Sequence, residues 1–166
     1  MFIEVNGLKL YVEVTGEGKP LLLLHGFTGS VRSWDRFVPG WSQRCKVITA
    51  DLIGHGASDA PDDPNRYTME HAVDDLSGLL DALGLESAAV LGYSMGGRVA
   101  LSLAAMRPER VSALLLESSS PGLAGAEERK ARVEADEALA ARIEQEGVES
   151  FVRHWENIPL FQTMQA

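Results

Sequence analysis

The chain has 166 residues, 45% of them apolar and 23% charged, which fits one globular domain with enough apolar surface for a real core. Fifteen basic residues stand against 24 acidic ones, and the net charge of −9 argues against nucleic acid or an anionic membrane as a partner. A single cysteine, Cys45, excludes an internal disulfide framework and fits a reducing, cytoplasmic compartment. The alternating N-terminus lacks the basic start and apolar run of a signal peptide, and no apolar run is long enough to span a bilayer.

Residues 3–5 and 8–14 alternate about Asn6-Gly7, the pattern of a tight hairpin. "GEGKP" then breaks the chain before "LLLLHG", a continuous apolar run suited to a strand covered on both faces. Residues 31–38 read as a short helix stopped by Pro39-Gly40, and "KVITADLIGHG" as a second buried strand with its exit loop. Over 68–83 the residues Ala72, Val73, Leu76, Leu79, Leu80 and Leu83 fall on one side and Gly84 supplies the stop, so a helix is expected. "SAAVLGYS" is the third buried strand, "MGGRVALSLAAMRP" the helix after it, and "VSALLLESSS" the fourth strand.

Apolar strands alternating with helices predict an α/β fold, a mostly parallel sheet with helices on both faces and an antiparallel hairpin at its N-terminal end. After Pro121-Gly122 the composition changes. Residues 126–146 are rich in Ala, Glu and Arg, with a narrow apolar stripe of Ala135, Leu139 and Ile143, and Gly147 closes them off. A further helical stretch over 148–155 precedes Pro159-Leu160-Phe161. The expected division is a sheet domain over 1–122 and a partial helical lid over 123–166.

The chemistry concentrates at "LGYSMGG". This is the G-x-S-x-G pattern of a serine lifted onto a sharp strand-to-helix turn, which makes Ser94 the candidate nucleophile. The helix after it directs its N-terminus at that spot, so the Met95 N–H is one candidate oxyanion donor. His25-Gly26-Phe27 leaves a parallel strand at the same sheet edge, and the Phe27 N–H is the second. His25 and His55 read either as loop histidines satisfying backbone groups or as surrogate bases. Asp136 and His154 follow Ser94 in the order acid then base, but neither follows a strand. Glu117 at a strand end is either an acid or a buried structural residue.

"LLLLHGFTGSVRSWD", "DLIGHGASDAP", "LGYSMGGRVAL" and "LLLESSSPGL", in this order, resemble the α/β-hydrolase superfamily. The finer pattern of "HGFTGS", "GYSMGGR", "ESSSPGLAGAEERKARVEADEALA" and "WENIPLF" is similar to the 2-succinyl-6-hydroxy-2,4-cyclohexadiene-1-carboxylate synthases of menaquinone biosynthesis. That resemblance implies a lyase step in which Ser94 abstracts a proton, pyruvate is eliminated and the ring closes. It implies Arg98 and Arg132 as binders of substrate carboxylates, and Tyr93 and Trp155 as pocket lining. From the residues alone, Arg132 reads equally as an i,i+4 partner of the helix glutamates, and Arg98 as structural or functional. No metal and no cofactor is implied.

The family continues beyond "PLFQTMQA" with more lid, two strands bearing the Asp and His, and a last helix. The expectation is therefore a truncated form in which Ser94 lacks its usual base and acid. Strand 111–117 would then be an exposed edge, and a homodimer or higher oligomer would form through it and the lid helices. Three functional readings remain: a synthase-like fold, a minimal serine esterase acting on an anionic or ester substrate, and a self-associating fragment without catalysis.

Overall fold

The computed structural model describes residues 1–158, so Pro159-Leu160-Phe161 lies outside the described residues. The chain divides into two compact units, Met1–Pro121 and Gly122–Ala166. In the first, strands β1 (Phe2–Val5), β2 (Leu8–Thr15), β3 (Lys19–Leu24), β4 (Cys45–Ala50), β5 (Ala88–Tyr93) and β6 (Val111–Glu117) form one sheet. Their order is β1-β2-β4-β3-β5-β6. The β1–β2 and β2–β4 pairs are antiparallel; β4–β3, β3–β5 and β5–β6 are parallel. The mostly parallel sheet with an N-terminal hairpin is thus present. Asn6 and Gly7 have φ of 50° and 79°, the paired positive values a two-residue hairpin turn needs.

The first unit also holds α1 (Val38–Trp41), α2 (Met69–Ala82) and α3 (Met95–Met106). Helix α2 starts where Thr68 Oγ1 accepts the His71 N–H at 3.3 Å, and Gly84 at φ 67° ends it. The 31–38 stretch departs from expectation. A 3₁₀ turn spans Val31–Trp34, and α1 follows with Pro39-Gly40 inside it rather than after it. Proline is tolerated there because the N–H it lacks has no intrahelical partner in the first turn. A second 3₁₀ turn, Pro64–Tyr67, has no counterpart in the sequence reading; the Asp63 side chain caps it by accepting the Asn65 N–H at 3.0 Å.

Residues in register on neighbouring strands share a sheet face. Leu22, Leu24, Ile48, Ala50 and Val90 face α2 and α3, where Val73, Leu76, Leu79, Leu80, Val99 and Leu103 complete the main core. Burial of one such side chain stabilises the fold by about 1.5–3 kcal/mol. The opposite face has a thinner cover. Leu23 and Val47 meet Trp34 there, with Leu21, Val38, Trp41 and Leu91 at the margin. Leu115 sits beside Leu91 in register and beyond that cover, 47% exposed, and Leu116 is 44% exposed. Among the described residues the fourth apolar strand is therefore an edge strand, as expected for 111–117.

In the second unit α4 (Ala126–Glu146) and α5 (Val148–Trp155) meet along Leu139, Ile143 and Phe151. Ala135 is exposed, so the apolar stripe of α4 is shorter than expected. The rest of α4 is polar and carries exposed i,i+4 pairs, Lys130–Glu134, Arg132–Asp136 and Arg142–Glu146. Such pairs in water add little to stability. No described helix is long and apolar enough to cross a membrane.

The outer side of β6 pairs with no other described strand, and two of its leucines face solvent. The 166-residue chain is accordingly expected to self-associate with rising concentration, and Leu115→Lys with Leu116→Lys to weaken that association. Sedimentation velocity over a dilution series checks both; a monomer at every concentration would contradict the expectation.

Candidate active site

Ser94 sits between β5 and α3 with φ 52° and ψ −111°, a conformation disfavoured for any residue with a Cβ. Such strain costs of order 1–3 kcal/mol and persists only when the surroundings enforce it. Here both backbone groups of Ser94 are engaged. Its N–H donates to the Glu117 carbonyl at 2.9 Å, and its carbonyl accepts from Ser119 Oγ at 3.0 Å and from the Gly97 and Arg98 N–H groups. The strand and helix can approach this closely because Gly92 and Gly96 lack side chains. A Cβ on Gly92 would enter the Gly96 carbonyl, and one on Gly96 would enter the Leu24 carbonyl. The half-buried Ser94 hydroxyl makes no hydrogen bond among the described residues.

The loop leaving β3 lies beside it. A Cβ on Gly26 would stand 2.9 Å from the Tyr93 ring and 3.4 Å from Ser94 Cβ, so His25-Gly26-Phe27 and the serine are adjacent. Phe27 and Tyr93 are 45% and 40% exposed, and they put aromatic surface at this edge. Met95 opens α3, so its N–H has no intrahelical acceptor and lies at the positive end of the helix. The Met95 and Phe27 amides thus belong to the two segments that meet at Ser94.

Two buried side chains hold these segments. His25 is fully buried; its Nδ1–H donates to the Gly26 carbonyl at 2.8 Å and its Nε2 accepts the Leu52 N–H at 3.0 Å. The second bond requires a lone pair on Nε2, which assigns the proton to Nδ1. Burial holds the imidazole below the ordinary histidine value; the His55 ring adds to the lowering, while the Gly26 carbonyl and Asp51 oppose it. Both nitrogens are committed, so His25 has none with which to serve Ser94 as a surrogate base. His55 packs on His25 at 5.1 Å between ring centres and on Phe27 at 6.0 Å, and its Nδ1–H donates to the Ile53 carbonyl. Its Nε2 has no partner among the described residues.

Asp51 escaped the sequence reading. It is 2% exposed and accepts the Val31 N–H at 2.6 Å and the Ala57 N–H at 2.8 Å, tying the exit loop of β4 to the loop after β3. An aspartate at the end of an apolar strand, before a glycine-rich loop, was the only signal available. Gly56 packs its backbone against that carboxylate, where no side chain would fit.

Arg98 lies one turn into α3, half-buried, and forms no ion pair among the described residues. Glu117 is exposed rather than buried, and its backbone rather than its carboxylate serves Ser94. Arg132 places Nε 2.8 and 2.7 Å from the two Asp136 oxygens, the i,i+4 partnership its sequence context allows. Trp155 is half-buried and packs on Phe151 at 5.5 Å, while His154 is exposed on α5. Among the described residues, no cluster of three or more His, Cys, Asp or Glu side chains could hold a metal.

Asp51→Asn turns one acceptor into a donor facing a backbone N–H and is expected to cost about 1–3 kcal/mol, read from urea unfolding. The lowered His25 value fixes a second outcome. The unfolded chain takes up the proton first, so stability is full above the ordinary value of 6.5 and is lost as pH falls through the lower folded value. Unfolding midpoints against pH should show this loss, and His25→Gln should remove that component.

Residues 19–152 match the family model for the alpha/beta hydrolase fold. A Bacillus subtilis (strain 168) protein with the provisional name 2-succinyl-6-hydroxy-2,4-cyclohexadiene-1-carboxylate synthase is 47% identical over 145 residues, covering 87% of this chain and 53% of its own. Epoxide hydrolase 2 of Siraitia grosvenorii is 39% identical over 116 residues, covering 68% of this chain and 36% of its own. Among solved structures, epoxide hydrolase A from Mycobacterium thermoresistibile superposes with a TM-score of 0.68 at 33% identity, over 70% of this chain and 37% of that one. The chain thus spans about half the length of the bacillary relative and about a third of the epoxide hydrolases. With a strained serine between β5 and α3, a mostly parallel sheet and a family match over most of its length, the chain belongs to the α/β-hydrolase family.

Proposed function

We propose that this chain carries the nucleophile portion of an enzyme acting on a small carboxylate-bearing substrate, of the 2-succinyl-6-hydroxy-2,4-cyclohexadiene-1-carboxylate synthase type. In this reading Ser94 abstracts the proton that starts pyruvate elimination. The Phe27 and Met95 amides receive the developing oxyanion, and Arg98 binds a substrate carboxylate. Tyr93 lines the pocket. The observation that carries it is the Ser94 hydroxyl itself, without a hydrogen bond among the described residues and beside both oxyanion segments, with Arg98 one turn away and in no ion pair among the described residues. Bidentate guanidinium contacts suit polycarboxylates and locally offset the net charge of −9. The resemblance to the bacillary relative supports the synthase type over the epoxide hydrolases, since it extends over more of the chain at higher identity.

No hydrogen bond reaches the Ser94 hydroxyl among the described residues, so the proton acceptor is a group outside those now touching it. A serine esterase is the second reading. His55 favours it, because its ring packs on Phe27 while its Nε2 is uncommitted.

Hydrolysis of p-nitrophenyl esters and release of pyruvate from the synthase substrate, measured on the 166-residue chain, separate the two. The oxyanion donors and binding alone set an expected floor of roughly 10³–10⁴-fold over water for ester hydrolysis, and any activity above that floor should fall to it in Ser94→Ala. Arg98→Gln should raise KM for anionic esters about tenfold to a hundredfold and leave neutral esters unchanged. A large loss in His55→Ala would select the esterase, and turnover indifferent to Ser94→Ala would defeat both readings.

A further inference from the structure

The peptide unit between Gly26 and Phe27 is planar and trans, so the direction of its carbonyl sets the direction of its N–H on the opposite edge. The Gly26 carbonyl is held from two sides, by His25 Nδ1–H at 2.8 Å and by the Gly29 N–H at 2.9 Å. The same imidazole reaches the Leu52 N–H through Nε2, in the loop that Asp51 ties back to Val31. One ring therefore connects the peptide that bears the Phe27 amide to the exit of β4.

We propose that His25 is a positioning residue for the oxyanion side of the Ser94 site, its neutral Nδ1–H tautomer locking the Gly26–Phe27 peptide to the Leu52 amide. Protonation of Nε2 removes the acceptor of the Leu52 N–H and puts two N–H groups face to face, which opens the tie. The titratable groups facing the ring are His55, whose charge opposes that protonation, and Asp51, whose charge favours it. Asp51 is already occupied by two backbone N–H groups, so the loops stay joined on that side while the His25 side opens. The Gly26 carbonyl keeps its bonds from Nδ1–H and the Gly29 N–H, so the Gly26–Phe27 peptide moves with the ring as it leaves Leu52, and the Phe27 amide shifts from its place at the oxyanion side.

The importance of that donor rests on the Ser94 reading above, but the tie itself is measured without substrate. In the ¹⁵N-labelled 166-residue chain, long-range ¹H–¹⁵N correlation of the imidazoles reads the tautomer, and the backbone spectrum reads Phe27 and Leu52. At neutral pH His25 should be the Nδ1–H tautomer alone. As the ring titrates on acidification, the Phe27 and Leu52 amides should move with its midpoint, while amides of the β1–β2 hairpin should not. His25→Asn keeps a donor at the Nδ1 position and His25→Gln an acceptor at the Nε2 position. Leu52 amide exchange should therefore be about tenfold faster in the Asn variant and recover in the Gln variant. An Nε2–H tautomer, or Phe27 and Leu52 amides that ignore the ring's titration in the unmodified chain, would overturn the proposal and leave the Ser94 reading standing. Fast Leu52 exchange in both variants would overturn it as well.

Discussion

The rest of the site depends on one strained residue, Ser94, held at φ 52° where a strand must turn at once into a helix. A side chain at that angle stays only if its neighbours leave the backbone no alternative. Glu117, the last residue of β6, and Ser119 just after it bond to its N–H and carbonyl, so the strand next to β5 helps to enforce the turn. Gly92 and Gly96 supply the closeness that the turn requires. The hydroxyl is left outside every bond that holds the backbone, which is the condition for a side chain that is to react rather than to support.

Around this point the fold uses buried polar groups in a way that bare hydrophobic packing would not. Asp51 and His25 are each almost wholly shielded from water, and each meets two partners in another loop or in the adjoining peptide. In a low-dielectric interior such bonds are strong when complete, and a lost partner is costly. They therefore specify one arrangement of the loops after β3 and β4. The apolar core below, dense between the sheet and helices α2 and α3, makes the sheet edge a rigid platform for them. The thin cover on the other face has no such role at the site, and it runs out before β6.

The parallel strands, the hairpin, α2 and α3 were legible because each carries its own periodicity or its own stop signal. Thr68 and Gly84 bound α2 in sequence as they do in space. The failures have physical causes. Pro39 looked like a stop, yet a first-turn proline sacrifices no bond. Asp51 went unread and His25 was ambiguous because their partners are backbone amides and carbonyls, present in every residue and invisible in a pattern of side chains. Glu117 was weighed for its carboxylate, whereas its contribution to Ser94 is a carbonyl.

The sequence by itself determined the kind of fold and the serine at the strand-to-helix turn, since apolar runs, glycines and the G-x-S-x-G spacing are local properties of the chain. Only the tertiary structure decided that both nitrogens of His25 are committed, that His55 Nε2 and Arg98 have no polar partner among the described residues, and that Asp51 ties the exit of β4 to the loop after β3. These outcomes depend on neighbours far apart in the chain. Burial and hydrogen bonding are relations between segments, and a segment read alone does not contain them.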